Sequence, residues 1–123
     1  MNKIRKEWLK AIDKLPYKPG HYMHVIIDMG RGKKKHGYNI FGMLCYAYCE
    51  ILDIHDTVFT QVSPNVMRRK WFDETNGLLP DRIRNEVGLT SHGESVLRSL
   101  ENAKVPLNVL QKIIASENDF FMR

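Results

Sequence analysis

From Ile40 to Asp53 the chain reads IFGMLCYAYCEILD, and wound at the helical period its apolar residues cover nearly the whole circumference. A helix of that kind has no face to offer water, so it predicts the centre of a buried core. Asn39 stands where a side-chain acceptor would cap it. Gly42 lowers intrinsic helix stability by ~1 kcal/mol relative to alanine, which predicts close passage of another backbone. The residues just before, GRGKKKHGYN, cannot follow the helix inward, because Arg31, Lys33, Lys34 and Lys35 crowd between glycines. One stretch therefore sets both the middle of the core and a dense positive charge at its edge.

The remaining elements arrange themselves around that helix. Asn2 to Leu15 places Ile4, Trp8, Ala11, Ile12 and Leu15 on one helical stripe, with Lys3, Lys6, Lys10 and Lys14 on another side. Pro16 and the Tyr17-Lys18-Pro19-Gly20 stretch end it. His21 to Met29 alternates as a strand, Met23, Val25, Ile27 and Met29 against Tyr22, His24, Ile26 and Asp28. Its best partner by β-propensity is Asp56 to Val62. Ser63 to Gly77 has no clear period; Met67, Trp71 and Phe72 tether it, and Asn76-Gly77 signals a turn. Pro80 to Glu86 with Gly88 after it, Ser91 to Asn102 with a Ser91–Glu94 capping box, and a helix opened by Pro106 complete the chain. The expectation is one helix-rich α+β domain over residues 1–123, with a small antiparallel sheet of two or three strands beside a central buried helix.

At 123 residues with 43% hydrophobic and 27% charged residues, the chain is long enough for a core without staples. No apolar run approaches the ~20 residues that cross a bilayer, and the N-terminus intersperses Lys and Glu. A cytoplasmic location and no membrane partner are expected. Cys45 and Cys49, one turn apart in the apolar helix, read as buried thiols; without a second ligand pair they predict no metal. Net charge is +5, distributed unevenly. Ten Lys or Arg face three acids through His36, and nine face eleven afterwards. Such asymmetry favours an anionic partner.

The glycine-punctuated basic loop from Gly30 to Gly37 is the candidate ligand site. Glycines let backbone amides approach an anion, lysines supply point charges, and the next helix begins near Asn39. The Gly-x-x-x-x-Gly-Lys-Ser/Thr spacing of a P-loop is absent. Arg31, Lys33, Lys34, Lys35, His36, Tyr38 and His24 form the expected binding set, Tyr38 as a base-stacking ring. The competing reading is a solvated hairpin tip. For catalysis, His24 with Asp28, Asp53 with His55 and Asp56, and Ser91-His92 with Glu94 place imidazoles near carboxylates, but spacing alone makes no hydrogen bond. No catalytic residue and no cofactor are assigned. The helices from Ser91 to Ser116 imitate a helix-turn-helix, with Asn108, Gln111, Lys112 and Ser116 outward, although core packing accounts for them as well.

Four segments carry a family resemblance: EWLKAIDKLPYKPG, GYNIFGMLCYAYCEIL, LLPDRIRNEVGL and SLENAKVPLNVLQKII. Together they resemble a family of small uncharacterised proteins of tailed phages and prophages. Its pattern is a Trp-bearing first helix, a Cys-Cys-Leu-Gly-Val-Leu-Cys-like helix, Leu-Pro and Gly-Leu motifs, and an Asn-Asp pair before a last amphipathic helix. Asn39 and Ile40 replace the paired cysteines, leaving Cys45 as the matching thiol, and Glu101-Asn102 replaces Asn-Asp. The resemblance implies a phage accessory protein acting in the host cytoplasm on a host system. Combined with the basic segment, it leads to the expectation of a non-enzymatic binder of nucleic acid or nucleotide. The alternative is a modulator that docks an acidic host protein on the lysine face of the first helix, and an enzyme using His24 and Asp28 is third.

Overall fold

Asn2 caps the first helix, α1 (Lys3–Lys14), by accepting from the amides of Ile4 and Arg5. A computed structural model, which describes residues 2–55, 57–71, 74 and 77–122, carries the chain on through two hairpins and four more α-helices. Strands β1 (His24–Gly30) and β2 (Lys33–Tyr38) form the first hairpin and lead into α2 (Ile40–Leu52). Strands β3 (Thr57–Ser63) and β4 (Val66–Trp71) form the second. Helices α3 (Asp81–Val87), α4 (Ser91–Asn102) and α5 (Leu107–Ser116) follow, with a 3-10 turn at Asn118–Phe120. The fold is α+β, as the patterning predicts. Asp56, Phe72 and Asn76, all used in the sequence reading, lie outside the described residues.

α2 is the centre of the core. Ile40, Phe41, Met43, Leu44, Cys45 and Tyr48 have no exposed surface, and Trp8 packs beside them while donating from its indole to the Ile40 carbonyl at 2.8 Å. Gly42 is the close approach that its helical cost predicts. A Cβ there would lie 1.7 Å from the Met23 carbonyl oxygen, so only glycine lets the helix settle on the chain entering β1. Asn39 caps α2 through a 2.8 Å bond from the Gly42 amide and ties back to the Gly20 carbonyl.

Glu101, from α4, reaches the same helix end. Its carboxylate accepts from the Ile40 amide at 2.9 Å and from the Tyr17 hydroxyl at 3.1 Å. Burial raises its pKa, opposed by the Ile40 amide, Tyr17 and Arg98. Removing the acceptor strands a buried amide, so Glu101→Ala should cost about 2 kcal/mol in urea unfolding. Glu101→Gln, which keeps an acceptor oxygen, should lose about half as much. Equal stability of the alanine variant and the parent would show that the cap contributes nothing.

The sheet departs from expectation in size and pairing. It has four antiparallel strands in the order β2-β1-β4-β3, so β3 joins the sheet through β4 and does not touch β1. β4 has no sequence expectation behind it, because Arg68, Arg69 and Lys70 hide the alternation of its apolar residues. The first strand begins at His24, three residues later than its alternation suggests. In α4 the cap is Thr90, whose hydroxyl accepts from the Gly93 amide, while Glu94 turns to Arg84 and Arg98. The capping box at Ser91 is therefore not formed.

Candidate nucleic-acid interface

Only the base of the sheet is built into the body. His24, Tyr38 and Trp71 are buried there, and α2 crosses them with Tyr46 set edge-on to Tyr38. The segment after α1 pins the same end, through Lys18 N–H to the Tyr38 carbonyl and Tyr38 N–H to the Pro16 carbonyl. Beyond this base the strands project, and Asp28 to His36 is exposed throughout. Gly30, Arg31 and Gly32 turn the hairpin, all with positive φ of 83°, 55° and 75°. The Asp28 carboxylate accepts from the Gly30 amide at 2.9 Å and holds the turn from below.

The expected basic loop is therefore mostly strand: Gly30 ends β1, Lys33 to Gly37 belong to β2, and only Arg31 and Gly32 lie in the turn between them. Alternation then divides its side chains. Lys34, His36 and Tyr38 share one sheet face with His24, Ile26 and Asp28, their register partners, while Lys33 and Lys35 take the other. Across the sheet, Met67, Arg69 and Trp71 of β4 and Thr57, Phe59 and Gln61 of β3 fall on the first face. The positive end of α2 is not available to a ligand at the tip. It lies at the opposite end of β2 and is already capped by Asn39 and Glu101.

The seven candidate residues separate accordingly. Arg31, Lys33, Lys34, Lys35 and His36 are exposed along the hairpin. Tyr38 is only 6% exposed and stacks on His24 at a 3.9 Å centroid separation, so its faces are closed to a base. His24 is buried between Tyr38, His36 and Trp71, with Nε2 3.0 Å from His36 Nδ1. Burial first, then the positive charge of Arg69 and the neighbouring His36, push its pKa down to about 3. It is a neutral structural ring at neutral pH.

The acid–imidazole clusters read from the sequence fall at three separate places in the structure. Asp28 sits toward the hairpin tip and bonds its own turn, with Ile26 between it and His24. His55 and Asp53 pair at 2.8 Å, both exposed on the surface. Glu94 is engaged by Arg84 and Arg98, and His92 packs against Phe120. Gln111 is spent on the Leu9 carbonyl and Asp13, which removes it from the outward set of the helix-turn-helix reading. Among the described residues no group of His, Cys, Asp or Glu is placed to hold a metal, and no helix is long and apolar enough to cross a membrane. Cys45 and Cys49 are buried free thiols whose pKa values burial raises.

What the alternation opens instead is a groove of about 290 Å³ on the first sheet face. Ile26 and Met67 make its floor, Phe59 and Gln61 one wall, Asp28 and Lys34 the other. The Arg69 guanidinium spans from Phe59 to Trp71, 5.3 Å from each ring centroid. Phe59 remains 43% exposed. Phe59, Met67 and Arg69 were not among the expected site residues, because only the pairing of β4 with both β1 and β3 brings them beside Lys34 and His36.

Charge follows the same division. Residues 24–38 and 57–71 hold seven Lys or Arg against a single acid, Asp28, a net of +6. The rest of the chain then carries −1 of the total +5. Charge is sorted by architecture, projecting sheet against helical body, and less by position along the chain. No family model, curated protein or solved structure matches this chain.

Proposed function

We propose that the protein is a non-enzymatic binder of phosphate-bearing ligands, nucleic acid first among them, and that the projecting sheet is its binding surface. The observation that carries this reading is the charge division: a sheet of +6 standing out from a body of −1. A field of that shape draws a polyanion to the sheet and orients it before contact. Arg31, Lys33, Lys34 and Lys35 provide point charges on a hairpin that carries one carboxylate. The resemblance to small tailed-phage proteins supplies a setting, an accessory role in the cytoplasm of an infected host cell.

The lysine face of α1 supports the alternative, a modulator docked on an acidic host protein, less well. Lys10 is held by Glu7 at 3.1 Å, Lys14 lies over the Tyr46 ring, and the body to which α1 belongs has no surplus of positive charge. Fluorescence anisotropy with labelled oligonucleotides tests the proposal. Binding should weaken steeply as salt rises, since each neutralised phosphate releases counterions. Replacing Lys33, Lys34 and Lys35 together by Glu should lower affinity at least about a hundredfold and flatten the salt slope by about 2. Those side chains are exposed, so the melting temperature should hold. Unchanged affinity would refute the sheet as the binding surface. A host protein retained on the immobilised chain after nuclease treatment, and lost on charge reversal of Lys3 and Lys6, would favour the alternative.

A further inference from the structure

The two edges of the projecting sheet are chemically opposite. β2 carries Lys33, Lys34 and Lys35 in succession, whereas β3, Thr57–Ser63, carries no charged residue and exposes Val58, Phe59 and Val62. Four strands at ~4.8 Å spacing put these edges about 14 Å apart. Between them, on the face shared by Lys34, His36, Arg69 and Phe59, lies the groove floored by Ile26 and Met67. An apolar floor disfavours phosphate, and so does the wall it meets, because Asp28 is the only carboxylate on the sheet. Lys34 is the cross-strand neighbour of Asp28.

A surface with a basic rail, an apolar rail and an apolar groove between them matches a ligand built the same way. A single nucleic-acid strand has its phosphates along one side and planar, uncharged bases along the other. In a duplex the base faces are stacked inside, so the Phe59 side of the sheet would have nothing to meet. Phe59 is held in place to receive a base: the Arg69 guanidinium lies 5.3 Å from its ring centroid, and Arg69 in turn bonds the Thr57 hydroxyl at 3.1 Å. The stacking ring is thus anchored by a cation that also faces the ligand.

We infer that the groove takes an unpaired base of a single-stranded nucleic acid, stacked on Phe59 over Ile26 and Met67, while Lys34, Arg69 and the β2 edge hold the flanking phosphates. This rests on the binding reading above and sharpens it to single strands. It also gives Asp28 a purpose beyond its turn: it keeps phosphate out of the groove and leaves room for the neutral part of the ligand.

The test compares four probes at one salt concentration: a mixed-sequence DNA oligonucleotide, its RNA counterpart, the DNA duplex, and inorganic polyphosphate. The single strands should bind at least about tenfold more tightly than duplex or polyphosphate. Phe59→Ala should lower single-strand affinity about five- to hundredfold, the range of one lost base–aromatic stack, and leave duplex and polyphosphate affinities in place. Its melting temperature should stay near that of the parent, because Phe59 is a surface ring of an edge strand. Equal affinity for single strand and duplex, or a preference that survives Phe59→Ala, overturns the inference while leaving the charge-based reading standing. Failure of all four probes to bind overturns the charge-based reading and this inference with it. A DNA–RNA difference would name the source of the strand within the same chemistry.

Discussion

Gly42→Val is expected to leave no cooperatively folded protein at 25 °C, and Gly42→Ala to cost at least about 4 kcal/mol. On an ordinary helix the alanine change would stabilise by ~1 kcal/mol, so the sign itself is diagnostic. Here the new Cβ meets three backbone atoms of Met23, its oxygen at 1.7 Å, carbonyl carbon at 2.6 Å and Cα at 3.2 Å. Neither partner has room to retreat. The Met23 carbonyl also accepts the Asn39 amide at 3.1 Å, the Met23 side chain is fully buried, and α2 is packed on another side by Trp8 of α1, whose ring meets Phe41. Overpacking usually costs 1–3 kcal/mol because side chains give way; a clash with backbone lacks that relief and approaches the total stability of a small domain. Urea unfolding followed by circular dichroism measures it. A midpoint for Gly42→Ala at or above that of the parent would mean that α2 does not rest on Met23.

Acid should destabilise the fold through His24 by as much as 4 kcal/mol. In the unfolded chain this imidazole takes a proton near pH 6.5; in the fold its pKa is pushed down to about 3. Between those values the unfolded state binds the proton and the native state does not, so stability falls as pH drops through that window. Above pH 6.5 both states are neutral and the contribution is complete. The structural cause is burial among Tyr38, Trp71 and His36 beside the Arg69 charge. His24 Nδ1, moreover, has no hydrogen-bond partner among the described residues, so a proton added there would be a buried donor without an acceptor among them. Glu101, with its raised pKa, works in the opposite direction. It lowers stability as pH rises above 4.5. His24→Phe keeps the stack on Tyr38 and removes the titration. Urea midpoints measured from pH 7 to pH 3.5 should fall less steeply in that variant. Parallel curves for variant and parent would mean that His24 is charged in the fold.

The two sites differ in how far the sequence announced them. Gly42 interrupts an otherwise strong apolar helix, and a helix residue that weakens its own helix asks for a tertiary reason. His24 falls on the polar phase of an alternating strand, where period-two patterning predicts an outward ring. Its burial comes from β4 and α2 closing over the base of the sheet, and neither is a neighbour in sequence. Tyr38 misled for the same reason: a tyrosine beside a lysine run reads as exposed until Tyr46 and His24 are found on either side of it. Nothing local separates Arg5 from the other cations of α1, yet it is buried, donates to the Ile114 carbonyl at 2.8 Å and lies over the Phe121 ring, joining the first helix to the last turn.

Local chemistry was enough to determine the helices, the caps at Asn39 and Gly88, the buried centre along α2 and the concentration of positive charge before it, because propensity, capping and periodicity act within a few residues. Strand partners were another matter. β-pairing joins residues 41 positions apart, as Ile26 to Met67, and an alternating strand has the same pattern whichever neighbour it takes. Only the order β2-β1-β4-β3 places Phe59 and Arg69 across from Lys34 and Asp28. A core and a basic edge thus follow from local pattern; that the edge is a sheet face with a groove follows from cross-strand register, a long-range property that no local segment encodes.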